Sequence, residues 1–403
     1  MSSSSGGSAR ITGSLAEHGL LGTVLHENFS NICEIVPHAH DIPRLSAERT
    51  VSGLPWRFLD RSLLRDGCYV GWHIGTSPYK SGAYGKIFKA WRMVARQRHD
   101  GLFDVAEEPA EVIVKQVLPS GGRTVLTPGE INAHTAEGLL HVLAWRAVQG
   151  TAAPWSVPRP YEIFGDHSPA LPGWRSMSLC MSWVRGRTLQ AYAEKYWRPG
   201  GEVGVGVAFL EILAQVAYVL GLLQGRLRLN HRDVKVNNLM IRGRRGGEPV
   251  VLEFAGALMR TGYELTLIDF GFACVGCASP HRPVTAFQTG SFFPMGELCC
   301  KAGRDLAQLI FSIHCFFSLE RYLPRSLYGA VRGWMTVRTR DVGRICMLDG
   351  FTEEGVPLVG GAPDYNKGIY EFLRRGDVEP VACEPATLFR ECCRLKALLA
   401  PSS

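Results

Sequence analysis

The sequence lacks the features that mark secreted and membrane-spanning proteins. Its first residues, MSSSSGGS, are polar and do not have the basic and then apolar pattern of a signal peptide. The 12 cysteines are spread over 403 residues, which is not the density of a small disulfide-stapled domain. The most apolar stretch, Val205 to Leu223, is interrupted by Glu211 and Gln215, so we expect a core helix there rather than a membrane span. We therefore expect an intracellular protein of a reducing compartment, in the cytosol or nucleus, with no membrane partner.

A dense basic patch is also absent. The chain has 44 Lys+Arg and 37 Asp+Glu, a formal net charge of +7, and the charge is scattered. The one tight basic cluster is Arg242, Arg244 and Arg245. Proteins that bind nucleic acid directly usually carry a denser patch, so we do not expect nucleic acid as a partner. A mildly basic surface does suit a polyanionic small molecule such as a nucleotide.

Internal repeats are absent as well. The pattern of apolar and polar residues changes along the chain. Residues 1–8 are rich in serine and glycine, which predicts disorder, and residues 1–66 form an N-terminal extension of unassigned function. Short β-type runs and one helical stretch fill residues 67–184, whereas residues 185–400 are mainly helical, with the boundary near Arg185–Arg187. The pattern predicts an α+β protein with a β-rich part and a helix-rich part.

The helical stretch of the β-rich part is LTPGEINAHTAEGLLHVLAW. Thr127 can cap this helix, Pro128 suits its first turn, and Glu130 stands three residues after the cap. The sequence therefore predicts a capping box at the start of the helix.

The stretch GTSPYKSGAYGKIFKA places Gly82 and Gly85 between two strand-like pieces. Backbone amides can approach a phosphate closely only where no side chain intervenes, so these glycines are candidates for holding a nucleotide. The first glycine of a G-x-G-x-x-G pattern would fall at Lys80 and is missing, unless Gly75 takes that role. A plain β-hairpin with turn glycines is the alternative.

In the strand-like EVIVKQV, Lys115 follows an apolar run. A lysine on the inward face of a strand is costly unless an anion meets it, whereas on an edge strand it would lie in water. Its partner carboxylate would come from the following helix. We favour Glu130, fifteen residues on, although its capping role competes, and Glu137 is the rival.

Two further stretches concentrate acids and amides. LNHRDVKVNNLMI places Asp233, Lys235 and Asn238 in one short loop after a long apolar helix. Asn238 is followed thirty-one residues later by Asp269 in LTLIDFGFA, at the end of an apolar strand. A carboxylate at that place is a natural metal ligand. Either stretch alone could be a structural turn, but both in this order after Lys115 indicate a phosphate-handling site.

In HRDVKVNN and DFG the chain resembles the eukaryotic-type protein kinases, from about Cys68 to at least Phe317. The resemblance implies a two-lobed kinase fold that binds ATP and Mg²⁺ and transfers phosphate to serine or threonine of a protein substrate. It implies that Asp233 is the catalytic base, that Lys235 steadies the transferred phosphoryl group, and that Asn238 and Asp269 hold magnesium. The lysine at 235 favours the serine/threonine branch.

The same resemblance assigns further residues to the nucleotide. Lys115 would hold the α- and β-phosphates, paired with Glu130. SLCMSWVRGRTL looks like the segment between the lobes, where Met181 would guard the back of the nucleotide pocket. The backbone of Ser182, Trp183 and Val184 would contact the adenine. In GRDLAQLIFSI, Asp305 would brace the backbone of the catalytic loop.

The chain also departs from the kinase pattern. No A-P-E follows the D-F-G; SFFPMGEL, with Glu297, is the nearest segment. Together with the altered glycine loop, this keeps two alternatives open: a pseudokinase that acts as a binding scaffold, and a small-molecule kinase. The stretch from D-F-G to GRDLAQL is similar to divergent kinases of large DNA viruses, which would place the protein in a host cell.

The segment after the D-F-G contains further candidates. Cys274, Cys277, Cys299 and Cys300 could in principle bind zinc, but adjacent cysteines make an awkward second half, so we favour unpaired buried thiols. Three hydroxyl residues are candidates for phosphorylation: Thr285, Thr289 and Ser291.

Overall fold

The computed structural model describes residues 45–50, 57–59, 68–82, 85–100, 102–119, 121–167, 173–243, 248–276, 285–288, 298–352, 355–356 and 367–399. These residues divide into two compact units. The first contains the described residues within Cys33–Leu143 and Pro158–Val184, and the second those within Ala144–Val157 and Arg185–Ser403.

Some sequence predictions lie outside the described residues. They are the disordered start at 1–8, Arg244, Arg245, Cys277, Thr289, Ser291 and Glu297. Of the remaining phosphorylation candidate, Thr285, only the backbone is described, as the first residue of a strand.

The first unit contains one large sheet. Its strands are β1 Leu45–Thr50, β2 Arg57–Leu59, β3 Cys68–Ile74, β4 Lys80–Gly82, β5 Gly85–Gln97, β6 Phe103–Val117, β7 Pro160–His167 and β8 Trp174–Ser182. The strand order is β3-β2-β1-β7-β8-β6-β5-β4, and β3 pairs with β5 as well as β2, so the sheet curls back on itself. Because β1 and β2 pair into this sheet, it begins before residue 67, where we placed the start of the small lobe. Residues 144–157, inside the range we gave that lobe, belong to the second unit.

Strand β6 separates two apolar layers. Val112 and Val114 are fully buried on one face. Ile113 and Val117 pack on the other face. Since side chains alternate along a strand, Lys115 shares the face of Ile113 and Val117. That layer also includes Ile131 of the helix α1, which spans Pro128–Val148.

Helix α1 begins with the predicted capping box. The Thr127 Oγ1 accepts from the Glu130 amide at 3.2 Å, and a Glu130 carboxylate oxygen accepts from the Thr127 amide at 2.8 Å. Further along, a Cβ on Gly138 would overlap the side chain of Ile163 on β7, so glycine is what lets α1 lie close to the sheet. The close approach of α1 to the sheet at Gly138 also brings the preceding residue, Glu137, close to the sheet.

The second unit is rich in helices. They are α2 Leu189–Tyr196, α3 Val203–Leu227, α4 Arg304–Phe317, α5 Leu319–Tyr322, α6 Arg325–Trp334, α7 Lys367–Arg374 and α8 Pro385–Leu399. Short strands lie between them: β9 Arg187–Thr188, β10 Leu229–Asn230, β11 Leu239–Gly243, β12 Val250–Phe254, β13 Ala257–Thr261, β14 Tyr263–Leu267, β15 Cys274–Gly276, β16 Thr285–Gln288, β17 Thr336–Thr339 and β18 Gly343–Cys346. The described strands pair into small sheets: β10-β15-β16, β14-β11-β9, β12-β13 and β17-β18. The predicted α+β class is confirmed.

Helix α3 forms the core of the second unit. By length and composition it could cross a membrane, but 83% of its most apolar window is buried inside the protein. Its two polar interruptions are satisfied by neighbours: Glu211 pairs with Lys396 of α8 at 2.6 Å, and Gln215 donates to the hydroxyl of Thr261 at 3.0 Å. A buried polar group that has a partner costs little, so these residues fit a packed core helix, as predicted.

The long connection between Asn238 and Asp269 contains a hairpin. Strands β12 and β13 join through Ala255 and Gly256, both with positive φ. Leu252 and Met259 on its inner face are fully buried. The flanking residues 242–243 and 248–249 are exposed, whereas the hairpin between β11 and β14 is packed into the second unit.

Candidate active site

In the first unit, Lys115 of β6 forms an ion pair with Glu137 of α1. The Lys115 Nζ is 2.6 Å from the Glu137 Oε1, and the two side chains are 13% and 8% exposed. The Nδ1 of the buried His134 is 3.6 Å from the other oxygen of Glu137. Burial by itself would raise the pKa of Glu137, but the Lys115 ammonium and His134 hold this pKa well below its usual value. The carboxylate therefore stays charged and keeps the lysine fixed.

The preference for Glu130 as the lysine partner is wrong. Glu130 is bound by the cap of its own helix and by Arg123, whose Nη2 is 2.7 Å away, and these hydrogen bonds lower its pKa to about 2. Seven residues separate it from Glu137, which is about two helical turns or roughly 10 Å along the axis. Both acids share a face of α1, but only Glu137 reaches the level of Lys115. Glu130 was assigned to the nucleotide site only as the partner of Lys115, so that assignment is wrong as well.

The alternative of an edge strand for Lys115 is also wrong. Strand β6 lies between β5 and β8 in the sheet, with Lys115 opposite Ile87 on one side and Leu179 on the other. A lysine in a central strand needs an anion, and Glu137 supplies it.

The glycine segment forms the hairpin that we considered. Strand β4 pairs with β5 so that Gly82 stands opposite Gly85. Gly85 has a φ of +143°, and a Cβ there would lie 2.5 Å from the carbonyl oxygen of Gln116. Strand packing alone therefore requires glycine at position 85. A phosphate-binding role for Gly82 and Gly85 stays a prediction.

The segment predicted to contact adenine follows β8. Met181 is buried in the layer that α1 covers. The Ser182 amide donates to the Arg159 carbonyl at 2.8 Å, and the Trp183 amide to the Glu111 carbonyl at 3.1 Å. These two N–H groups are thus engaged, whereas within the described part of the chain the N–H of Val184 has no protein partner. Val184 is therefore the one amide of this trio that is open to a ligand.

In the second unit, Asp305 braces the predicted catalytic loop. Its carboxylate accepts from the backbone amides of His231 and Arg232, both at 2.9 Å, and from the Asn230 side chain at 3.1 Å. Asp305 is fully buried in the first turn of α4. These contacts hold Arg232 at a φ of +63°, a conformation that costs energy for a non-glycine residue. The bracing role implied for Asp305 is confirmed.

The Asp233 carboxylate is enclosed by three side chains. Its Oδ2 accepts from the Asn238 amide and lies close to the Lys235 Nζ, both at 2.8 Å. Its Oδ1 accepts from the Tyr370 hydroxyl of α7 at 2.7 Å. Asp233 is only 3% exposed. The loop thus brings together Asp233, Lys235 and Asn238, as predicted. Tyr370, which the sequence did not indicate, also contacts Asp233.

Asp269 is joined to the same loop by backbone pairing. The Ile268 amide donates to the Asn238 carbonyl at 3.0 Å, next to the pairing of β11 with β14. Asp269 itself has a φ of +67° and accepts from the Gly271 amide at 3.3 Å. A non-glycine residue in the left-handed region at this place is the kind of stored strain found at functional sites.

His231 links the two loops. Its Nε2 lies 3.1 Å from the Ile268 carbonyl, and its Nδ1 accepts from the Asp233 amide at 3.3 Å. Both contacts together require the neutral tautomer with the proton on Nε2. Burial lowers the pKa of His231 despite the nearby carboxylates of Asp305, Asp233 and Asp269, which supports the neutral form.

The residues assigned to Mg²⁺ have the right chemistry for it. Because the Asn238 amide nitrogen is committed to Asp233, its carbonyl oxygen is left as an acceptor, and Asp269 supplies a carboxylate. Mg²⁺ prefers oxygen ligands and usually takes one or two from protein, with the rest from phosphates and water. Among the described residues, no group of three or more His, Cys, Asp or Glu side chains is placed to hold a metal ion.

The expectation of unpaired cysteines is wrong for two of them. Cys274 and Cys299 form a disulfide, so neither is a thiolate that could bind zinc. Cys300 is a free, half-buried thiol, and burial raises its pKa to about 12. The described cysteines of this segment therefore do not form a zinc site.

The chain has the parts of a protein-kinase-like fold. The β-rich unit holds a strand lysine paired with a helix glutamate, and the helix-rich unit holds a braced H-R-D loop joined to a D-F-G. No family model matches the chain, and no curated protein matches it. Among solved structures, a BubR1 kinase domain is similar, with 12% identity, a TM-score of 0.42, and coverage of 94% of this chain and 97% of that one. The identity and the TM-score are low, so the description of the site depends on the side-chain contacts given above.

Three residues of the site escaped sequence reasoning. His231 lay inside the quoted loop, and its position two residues before Asp233 could have suggested a structural role. No signal in the sequence indicated Lys301, whose backbone amide donates to the Asn230 side chain, or Tyr370, since they are 71 and 137 residues from these partners in the loop. Such contacts depend on the fold and not on local pattern.

Proposed function

We propose that this protein is an ATP-dependent kinase that transfers the γ-phosphoryl group to a serine or threonine hydroxyl of a protein substrate. The observation that carries the proposal is the environment of Asp233: a nearly buried carboxylate, in contact with the ammonium of Lys235 and the amide of Asn238, on a loop fixed by Asp305. A simple surface turn does not need a carboxylate that contacts three side chains, nor a backbone whose amides are bound by a buried aspartate such as Asp305.

Asp233 would act as the base. The substrate hydroxyl oxygen forms a bond to the γ-phosphorus, the bond from that phosphorus to the bridging oxygen breaks, and ADP leaves with the electron pair. The hydroxyl proton passes to Asp233. Lys235, 2.8 Å from Asp233, offers positive charge beside the transferring group. Phosphoryl transfer depends mainly on such positioning and charge neutralisation, so few chemical groups are required.

Lys115 would hold the α- and β-phosphates. Its ammonium is kept in place by Glu137, which stays ionised, so the lysine pays little entropy when an anion binds. Asn238 and Asp269 would hold Mg²⁺, which supplies positive charge to the phosphates when bound. The Val184 amide is the candidate contact for the adenine.

The proposal includes a substrate class and a location. The preference for serine and threonine depends on Lys235 and its contact with Asp233. An intracellular location and a likeness to kinases of large DNA viruses stay predictions. The Cys274–Cys299 disulfide is unusual for a protein of a reducing compartment.

The test is incubation with γ-labelled ATP, Mg²⁺ and a mixed peptide library. The wild-type chain should label serine or threonine peptides, whereas Asp233→Asn and Lys115→Met should label them at least about 100-fold more slowly. The matched controls are Glu253→Gln and Lys86→Met, which change exposed residues of the same charge in the same units. Wild-type labelling by Asp233→Asn would refute the role of Asp233.

A pseudokinase scaffold is the second candidate. It is favoured by the glycine hairpin, where strand packing explains Gly85 without a phosphate, and where Lys80 replaces the first glycine. Thermal stabilisation by ATP without transfer to any peptide would support it. Transfer to a metabolite and never to protein would instead identify a small-molecule kinase.

A further inference from the structure

A tyrosine of the second unit reaches the proposed catalytic base. Tyr370 lies on α7, and its hydroxyl donates a hydrogen bond to the Asp233 Oδ1 at 2.7 Å. The other carboxylate oxygen, Oδ2, already faces Asn238 and Lys235. In phosphoryl transfer, a hydroxyl that donates to the free oxygen of the base is what the substrate must present. The phenol of Tyr370 makes this same contact.

Helix α7 is firmly anchored, so the contact is built into the fold. Ile369, Phe372 and Leu373 are fully buried. Phe372 stacks on Phe351 with ring centroids 4.5 Å apart. These apolar contacts fix the face of α7 that adjoins Tyr370.

A buried lysine ties the end of α7 to the catalytic loop. The Nζ of Lys301 donates to the carbonyls of Leu373 and Arg375 at 2.8 and 2.7 Å. The backbone amide of Lys301 donates to the side chain of Asn230, at the start of the loop, at 2.6 Å. The helix that carries Tyr370 and the loop that carries Asp233 are therefore held in one hydrogen-bonded network.

We propose that the Tyr370 hydroxyl occupies the acceptor position on Asp233, so that a substrate hydroxyl must displace it before transfer. The inference rests on the proposed function, since it takes Asp233 as the base. Tyr370 then competes with the substrate hydroxyl for the Oδ1 of Asp233, and this competition weakens substrate binding.

A purely supporting role for Tyr370 fits the contacts less well. Asp233 is already oriented by Asn238, which donates to both its carboxylate and its carbonyl, and by Lys235. Its amide is taken by His231. With these contacts in place, the phenol adds no orientation that is missing, but it does cover Oδ1.

The two roles predict opposite kinetics. A hydrogen bond to a charged group contributes enough free energy to change an equilibrium constant by about tenfold or more. If the site is open only when Tyr370 is displaced, the apparent affinity for the substrate is reduced by the open fraction. Removing the hydroxyl should then lower the KM for the acceptor about tenfold and leave kcat unchanged. A positioning residue would instead lower kcat when removed.

The experiment measures kcat and KM for an acceptor peptide, and KM for ATP, in wild type, Tyr370→Phe and Tyr370→Ala. Tyr196→Phe, which removes the hydroxyl of an exposed tyrosine of α2, is the control. The inference predicts a lower acceptor KM in both Tyr370 variants, an unchanged KM for ATP, and wild-type values in the control. Asp233→Asn added to Tyr370→Phe should abolish transfer.

Failure of the inference and failure of the proposed function give different results. If wild type transfers phosphate in a way that depends on Asp233, but Tyr370→Phe shows an equal or higher acceptor KM or a lower kcat, the inference alone is overturned. If wild type and both Tyr370 variants remain folded, bind no ATP and transfer nothing, the proposed function fails and the inference with it. Transfer by Tyr370→Phe but not by wild type would support both.

Discussion

The ammonium of Lys115 lies 2.6 Å from the carboxylate of Glu137, and Glu130, two turns earlier on the same helix, binds Arg123 instead. This choice between two acids is testable. Glu137→Gln should leave the nearly buried Lys115 without its counter-charge and cost about 3 kcal/mol of stability. Glu130→Gln should cost only about 1 kcal/mol through the weakened cap. Urea unfolding measures both changes in stability. ATP affinity tests the pairing separately: ATP binding that is lost in Glu130→Gln but kept in Glu137→Gln would contradict it.

Gly138 provides a second test of how α1 meets the sheet. Alanine at 138 would collide with Ile163, so we expect Gly138→Ala to destabilise the protein by about 1–2 kcal/mol. Gly129, in the first turn of the same helix, faces open space apart from Thr127 Oγ1 at 3.9 Å. Gly129→Ala should therefore stabilise the helix by up to about 1 kcal/mol. Equal effects of the two substitutions in urea unfolding would show that α1 does not approach the sheet closely at Gly138.

The sequence predicted the residues on the loops of the site better than the residues that contact them from other elements. HRDVKVNN and DFG identified Asp233, Lys235, Asn238 and Asp269, which the second unit brings onto two paired segments. The sequence ranked Glu130 above Glu137 as the partner of Lys115 because Glu130 lies nearer along the chain, and only the packing at Gly138 decides which acid reaches the strand. Tyr370 could not be predicted, because nothing in the sequence fixes where α7 packs.

His231 should make stability depend on pH. Burial lowers the pKa of its imidazole in the folded state, so the unfolded chain takes up the proton first. Its contribution is complete above the unfolded pKa of about 6.5 and is lost as the pH falls through the lower folded pKa. We expect stability to fall by up to about 1.4 kcal/mol per pH unit just below pH 6.5.

The check is the unfolding free energy of wild type, His231→Gln and His99→Gln between pH 7.5 and 5, an interval that brackets the reference pKa of about 6.5. His231→Gln should flatten the slope in that range, and His99→Gln, at an exposed position, should keep it. The same slope in His231→Gln and wild type would show that another group is responsible.

The disulfide between Cys274 and Cys299 should stabilise the second unit. It closes a segment with a sequence separation of 25, for which chain entropy gives about 3–4 kcal/mol. Unfolding with and without a reductant measures this contribution. Cys300→Ser, which changes the adjacent free thiol, should leave the response to reductant intact. Identical stability in both conditions would indicate that the cysteines are not paired in solution.

The most direct test of the account is single-turnover transfer from γ-labelled ATP by wild type and Asp233→Asn, with ATP affinity measured on the same samples. General-base catalysis is worth about 10²–10⁴-fold, so the variant should transfer phosphate slower by that factor while binding ATP about as tightly as wild type. Transfer at the wild-type rate by Asp233→Asn would contradict the assignment of Asp233 and, with it, the phosphotransferase mechanism proposed for this protein.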